Sequence, residues 1–383
     1  MAGPAVTSKT EFASGAQPRS GRIVSIDALR GFDMFWIIGA DEIARGLGKA
    51  NESGWAQAVA AQLKHVRWEG FVFYDLIFPL FVFLLGMGIV FSLDKIIAKD
   101  GLWGAHKRIF RRFLLLFLFG ALYDEGFIGL PDESPFSGVL QRLAWCYLFT
   151  SLLYCHLGRK TLAGVLFTLL LGYWLLVAFV PPPGADHVDL RSGDGPHLPL
   201  YIDEHYLPFK EAGQKSDPEG LMSTIPAVAS CLLGLFAGLL LMNQQVEARK
   251  KILIFLGAGA MMVVLGYTWG WLSFPVVKRI WSSSYVLVAG GYSAILVGLF
   301  YLVVDHLGYR QWATPFIWIG VNPLTLYLLS AVVDFHDLGG RLAGGPVAGL
   351  FGTYGELWVA LVGLVLIILV ARFFYKKGIF LRV

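Results

Sequence analysis

Residues 70–93, Gly70-Phe71-Val72-Phe73-Tyr74-Asp75-Leu76-Ile77-Phe78-Pro79-Leu80-Phe81-Val82-Phe83-Leu84-Leu85-Gly86-Met87-Gly88-Ile89-Val90-Phe91-Ser92-Leu93, hold one carboxylate in an otherwise apolar run. About 20 such residues cross a bilayer as a helix, so the stretch reads as a membrane span. Comparable runs recur at about 23–46, 108–124, 137–156, 161–181, 221–242, 251–272, 284–304, 313–334 and 355–374. The chain is 56% hydrophobic and only 15% charged, with a mean hydropathy of +0.63. A soluble domain cannot bury that much apolar surface in its own core. The expected fold is therefore an all-α polytopic transmembrane bundle of about ten helices, in contact with membrane lipids.

Lysine and arginine set the expected orientation, because they collect on the cytoplasmic side of short connections. Lys95, Lys99, Lys107, Arg108, Arg111 and Arg112 crowd the second connection, Arg159 and Lys160 the fourth, and Arg249, Lys250 and Lys251 the sixth. Lys376, Lys377 and Arg382 bring the C-terminus to the same side, so both termini are expected to be cytoplasmic. Arg191, Lys210, Lys215, Lys278 and Arg279 are exceptions on the opposite side.

Residues 1–22 are polar, lack an apolar signal core and read as a disordered cytoplasmic tail. Residues 23–383 form the membrane domain, with a long outer loop at 182–220. A net charge of +4 gives no argument for a nucleic-acid partner. Cys146, Cys155 and Cys231 lie in apolar runs without ligand spacing, and the loop histidines His187, His197 and His205 match no compact metal motif. No metal is expected.

Ionisable side chains in a bilayer are costly, and each needs a partner or water. Asp27, Arg30 and Asp33 share a face of the first helix near its inner end. Asp41 lies roughly 27 Å along that helix at about 1.5 Å per residue, whereas Asp75 lies about 6 Å into the next helix from the opposite side. Asp41, His65 and Asp75 thus share one depth near the outer surface. Histidine exchanges protons near neutral pH, so His65 is the candidate base, although a lone interfacial histidine is more often a structural hydrogen-bonding residue. Gln141 and Arg142 open the fourth helix from that side, and Arg142 is the expected counter-charge for one of the acids.

Five segments then acquire a common meaning: Ser25-Ile26-Asp27-Ala28-Leu29-Arg30-Gly31, His65-x-x-Trp68-x-Gly70, Asp75-Leu76-Ile77-Phe78-Pro79, Gly138-Val139-Leu140-Gln141-Arg142 and Asp217-Pro218-Glu219-Gly220. With Phe274-Pro275-Val276-Val277-Lys278-Arg279-Ile280-Trp281, they resemble in order the membrane-bound heparan-alpha-glucosaminide N-acetyltransferase family. The resemblance implies transfer of an acetyl group from cytosolic acetyl-CoA, as co-substrate, to an amino sugar or glycan on the far side. It also implies that activity depends on His65. Asp41 stands where animal members carry a catalytic asparagine, and is expected to act as a base or to orient His65.

Trp68, Asp75, Gln141, Arg142, Asp217 and Glu219 are the expected acceptor-binding residues. Arg30, Lys107, Arg108, Arg111 and Arg112 are the candidates for acetyl-CoA phosphates, although positive-inside topology alone would also place the basic loop there. Without a long luminal N-terminal domain, the chain reads as a bacterial inner-membrane homologue. N- or O-acetylation and a homodimer are left open. The rival reading is a transporter or flippase for a sugar or lipid-linked sugar, for which Asp33 and breaks at Pro79 and Gly86-Met87-Gly88 would be the signs.

Overall fold

A computed structural model describes residues 23–50, 54–124, 138–206 and 219–381. The tail at 1–22, the acidic connection 125–137, Asp217, Lys210, Lys215 and Arg382 lie outside the described residues. The described chain is helical, in the order α1 (Val24–Ala50), α2 (Gly54–Gln62), α3 (Phe73–Asp124), α4 (Val139–His156), α5 (Arg159–Phe179), α6 (Leu198–Tyr206), α7 (Thr224–Met242) and α8 (Ala248–Leu272). There follow α9 (Ser283–Phe300), extended by a π-helical turn at Tyr301–His306, then α10 (Thr314–Gly320), α11 (Pro323–Val332), α12 (Phe335–Ala343), α13 (Pro346–Gly349) and α14 (Gly355–Lys377). Among the described residues, each of the ten apolar stretches carries helix. Six helices are individually long and apolar enough to cross a membrane, or seven if the α10–α11 pair, bent by 78°, is counted as one. The chain is an all-α polytopic membrane bundle.

The 52 residues of α3 form a hairpin rather than one rod. Gly101, at φ 68° and ψ −172°, leaves the helical path, and glycine alone adopts that conformation without steric cost. Contacts with α4 trace the reversal. In the first arm, Phe78 lies near Arg142 and Asp94 accepts a hydrogen bond from Tyr154, so 73–100 runs parallel to α4. In the second arm, His106 meets His156, Phe113 meets Trp145 and Gly120 meets Gln141, so the chain returns antiparallel. The expected breaks at Pro79 and Gly86–Gly88 are absent: the helix continues through both, because other groups absorb their effects. Gly86 lets the α7 backbone approach closely, and Gly234 of α7 does the same for Phe83. The observed break of the later span falls between α10 and α11, at Asn322 before Pro323; α6 and the short helices α12 and α13 add structure that apolar run length does not signal.

The first arm of α3 is the centre of the bundle, packed on α4, α7 and α9, while α1 packs on α10 and α14 and α8 on α9. One contiguous core joins these helices, and a smaller cluster of Tyr173, Val177, Leu190, Met222, Phe274, Val277 and Ile280 caps the end of the bundle that carries Trp68.

Candidate active site

The N-terminus of α3 fixes the site. Val72 precedes the helix, and Asp75, in its first turn, accepts the Val72 backbone N–H through Oδ2 at 3.2 Å. This is the acidic half of a capping box, which satisfies a donor that the helix start leaves open. Pro79 has no N–H to offer the Asp75 carbonyl one turn back. The Tyr285 hydroxyl supplies the missing donor at 2.7 Å. Asp75 is thereby held from both sides and is 1% exposed. Its remaining oxygen, Oδ1, lies 2.7 Å from Nδ1 of His65, whose side chain is 48% exposed.

His65 sits on a loop secured at one end by an isolated antiparallel bridge between Glu69 and Val277, with Gly70 N–H donating to Val276 O at 2.9 Å. That bridge brings the neighbour of Val277 to the histidine. Lys278 Nζ stands 3.1 Å from Nδ1 and 3.0 Å from Nε2 of His65, and 3.8 Å from Asp75 Oδ1. Near-equal distances to both ring nitrogens place the amine out of the ring plane, since in the plane it would overlap the carbon between them. Burial pushes the Lys278 pKa below the usual lysine value, while the Asp75 and Glu219 carboxylates oppose that shift. The Tyr74 ring stacks on His65 at 4.5 Å and 16°. The charge of the Asp41 carboxylate is felt at Tyr74. Asp75 is the carboxylate that hydrogen-bonds the imidazole.

Lys278 and Tyr74 are functional candidates that the sequence reading does not select. The available signal is a lysine out of keeping with the sidedness of its loop. Trp68 lies to the side: its Nε1 donates to Leu190 O at 2.8 Å and its ring stacks on His197, so it anchors the long connection. His197 Nδ1 accepts the Leu200 N–H, and burial lowers the pKa of this imidazole to about 4. Arg142, 2% exposed, packs its guanidinium over Trp281 at 4.9 Å and gives Nη2 to Gly220 O and Ser223 Oγ. Its charge, like that of Glu219, is felt at Lys278 and Tyr285. Gln141 is buried against Gly120.

A cavity of about 650 Å³ lies deeper in the bundle, with Phe78 of α3 in its lining. At one end it is lined by Arg30, Lys95, Arg108 and Arg112; Lys107 faces a separate shallow pocket with Trp103 and His106, and Arg111 is exposed away from both. Deeper, the lining is apolar, with Met34 and Ile37 from α1, Phe78, Phe81, Leu84, Leu85 and Phe91 from α3, and Leu140 and Leu143 from α4. Ile37 and Phe78 stand one helical turn from Asp41 and Tyr74, on the same faces of α1 and α3. The cavity thus points from the cations toward the ring that stacks on His65. Among the described residues, no group of three or more His, Cys, Asp or Glu side chains is arranged to hold a metal ion.

Residues 22–161 match a family described as "Domain of unknown function (DUF5009)". Two curated relatives extend the similarity. Heparan-alpha-glucosaminide N-acetyltransferase of Homo sapiens is 27% identical over 324 residues, covering 69% of this chain and 48% of the relative. The Mus musculus protein of the same name is 27% identical over 381 residues, covering 84% and 56%. The chain resembles these acetyltransferases. It spans about half the length of the curated relatives it matches. The 22–161 segment contains Asp41, His65, Tyr74, Asp75 and Arg142 with the arginines lining the cavity, whereas Lys278 and Tyr285 come from the remainder of the chain.

Proposed function

We propose that the chain is a bacterial inner-membrane acetyltransferase that moves an acetyl group from cytosolic acetyl-CoA to the amine or hydroxyl of an amino sugar or glycan on the outer face. The observation that carries this reading is a cavity with cations at one end whose apolar lining ends at Phe78, one helical turn from the Asp75 and Tyr74 turn of α3 that holds His65. Arg30, Arg108 and Arg112 hold the phosphates by charge-assisted hydrogen bonds, and the apolar lining takes the slender pantetheine arm. In this topology the chain crosses ten times, with the α3 hairpin counted as two spans and both termini on the basic, cytoplasmic side.

At the outer end, His65 donates Nδ1–H to Asp75, which leaves the Nε2 lone pair as the base. The acceptor nitrogen or oxygen attacks the thioester carbonyl while Nε2 takes its proton. Lys278, in its ammonium form, faces the charge that develops on the carbonyl oxygen. The new C–N or C–O bond forms, the C–S bond breaks, and the proton passes from Nε2 to the departing thiolate. Asp75 remains ionised throughout, as an orienting group.

Purified protein in proteoliposomes, supplied with labelled acetyl-CoA and a panel of amino sugars, tests the reading. Acetylated sugar outside with CoA released inside is the expected result, and His65→Ala should abolish it while the protein stays folded. A second reading, transport of a sugar or lipid-linked sugar, draws on the sharply bent α10–α11 pair, since broken helices build carrier sites. Gradient-driven flux of unmodified sugar without CoA consumption would favour that alternative and defeat the first.

A further inference from the structure

The second arm of α3 turns opposite faces to two surroundings. Arg108, Arg112 and Leu116 recur at every fourth residue and line the large cavity. Trp103, Lys107, Phe110, Leu114 and Leu118 recur at four- and three-residue intervals on the far side and are exposed, Trp103 by 81% and Leu114 by 62%. In a bundle that spans a membrane, that face is covered by lipid. Where it adjoins α4, a shallow pocket of about 560 Å³ opens, lined by Trp103, His106, Lys107, Phe110 and Leu152. His106 joins the two helices there, its Nε2 lying 3.0 Å from Nε2 of His156. Phe113 tilts onto Trp145, which stacks on the exposed Phe149, so the wall contributed by α4 stays apolar beyond Leu152.

The pocket also has a charged end. Lys107 lies within two turns of the bend at Gly101, and Arg111 stands one turn further along on the same side, exposed. Helical side chains lean toward the N-terminus of their helix, here toward the bend, so the Arg111 guanidinium leans back to Lys107. Among the described residues neither cation is paired with a carboxylate, whereas the exposed Arg45, Lys49, Arg191 and Arg341 all are. We propose that the groove between the second arm of α3 and α4 binds one anionic phospholipid from the leaflet on the basic side of the bundle. The phosphate meets Lys107 and Arg111 through charge-assisted hydrogen bonds, and an acyl chain lies along Phe110, Leu114, Leu152 and Phe149. Trp103 sits at headgroup level, where its amphipathic ring is favoured. A zwitterionic lipid carries its own cation beside the phosphate, whereas an anionic lipid leaves that charge for the protein to meet. The site is independent of the acetyltransferase reading, because Lys107 and Arg111 stand outside the cavity that Arg108 and Arg112 line.

Native mass spectrometry of the full chain in detergent, titrated with phosphatidylglycerol or phosphatidylcholine of identical acyl chains, tests the site. The parent protein should bind one phosphatidylglycerol at least about fivefold more tightly than phosphatidylcholine. Lys107→Gln combined with Arg111→Gln should bring the two lipids to equal affinity; both side chains are exposed, so the packing beneath them stays intact. Lys376→Gln combined with Lys377→Gln removes the same charge from the end of α14 and should keep the preference. Trp103→Ala should weaken both lipids and leave their ratio unchanged. Equal affinities in the parent protein, or the same loss of preference in the α14 variant, would overturn the site, since any selectivity would then belong to surface charge in general. Competition between acetyl-CoA and phosphatidylglycerol that disappears in the Lys107→Gln, Arg111→Gln variant would also overturn it, by assigning these cations to the nucleotide.

Discussion

Replacing Asp75 by asparagine separates the two tasks of one buried side chain. The carboxylate accepts from Val72 N–H through Oδ2 and from His65 Nδ1 through Oδ1. An amide offers one acceptor and one donor group, so one of these contacts must become donor against donor. The helix-cap contact is the better retained, because Val72 N–H is fixed by the backbone, whereas His65 is half exposed and can turn toward water. The amide N–H₂ then faces Nδ1 and selects the tautomer with the proton on Nε2, which removes the lone pair required of the base. A hydrogen bond to a charged group contributes about 1.5–3 kcal/mol, and each 1.4 kcal/mol is about a factor of ten in rate. Asp75→Asn should therefore lower kcat by about 10- to 150-fold, with the KM for acetyl-CoA unchanged and stability altered by less than about 1 kcal/mol. Single-turnover transfer in proteoliposomes and urea denaturation of the detergent-solubilised protein measure the two. Full turnover combined with a large loss of stability would show that Asp75 only caps the helix, and would refute the assignment of His65 as an oriented base.

Neutralising Arg108 and Arg112 together should raise the KM for acetyl-CoA and weaken its salt dependence, with acceptor KM unaffected, whereas Arg111→Gln, outside the cavity, should change little; initial rates at varied ionic strength check this. His197 has a pKa of about 4 in the fold against 6.5 for the free side chain, so the unfolded chain takes up the proton first as pH falls. Stability should be unaffected by this residue above about pH 7 and decline by about 3 kcal/mol between about pH 6.5 and 4, an effect that His197→Phe should remove from the denaturation profile.

The spans are legible because apolar runs of membrane length follow from composition, but their geometry is not. Pro79 and Gly86–Gly88 suggest breaks by their intrinsic preferences, and in the bundle Tyr285 and the α7 backbone turn those features into contacts. The reversal at Gly101 falls in the basic connection expected between the spans at 70–93 and 108–124, where Asp100-Gly101 is a turn dipeptide; what the sequence does not signal is that helix continues right up to the bend on both sides. His65 and Asp75 can be placed at one depth, since both belong to a single helix entry and residue rise fixes the rest. Their partner Lys278 cannot, because 213 residues separate it from His65 and only the Glu69–Val277 bridge brings the loops together. Arg142 reads in the sequence as the counter-charge of an acid; its position against Trp281 and the Gly220 carbonyl depends on packing among α4, α7 and the turn before α9.

The reversal at Gly101 also makes the α3 hairpin a single lever whose two ends carry different duties. Asp75 stands in the first, anchored turn of one arm, and Arg108 and Arg112 lie on the other arm within about three turns of the bend. A thioester whose phosphates pull on the bend would transmit that load along about 40 Å of helix to the N-terminal turn that holds His65. On the proposed acetyltransferase reading, occupancy at one membrane surface would be felt at the other through this helix. Inserting a flexible Gly-Ser pair at the bend would uncouple the two surfaces while leaving every contact at each of them intact.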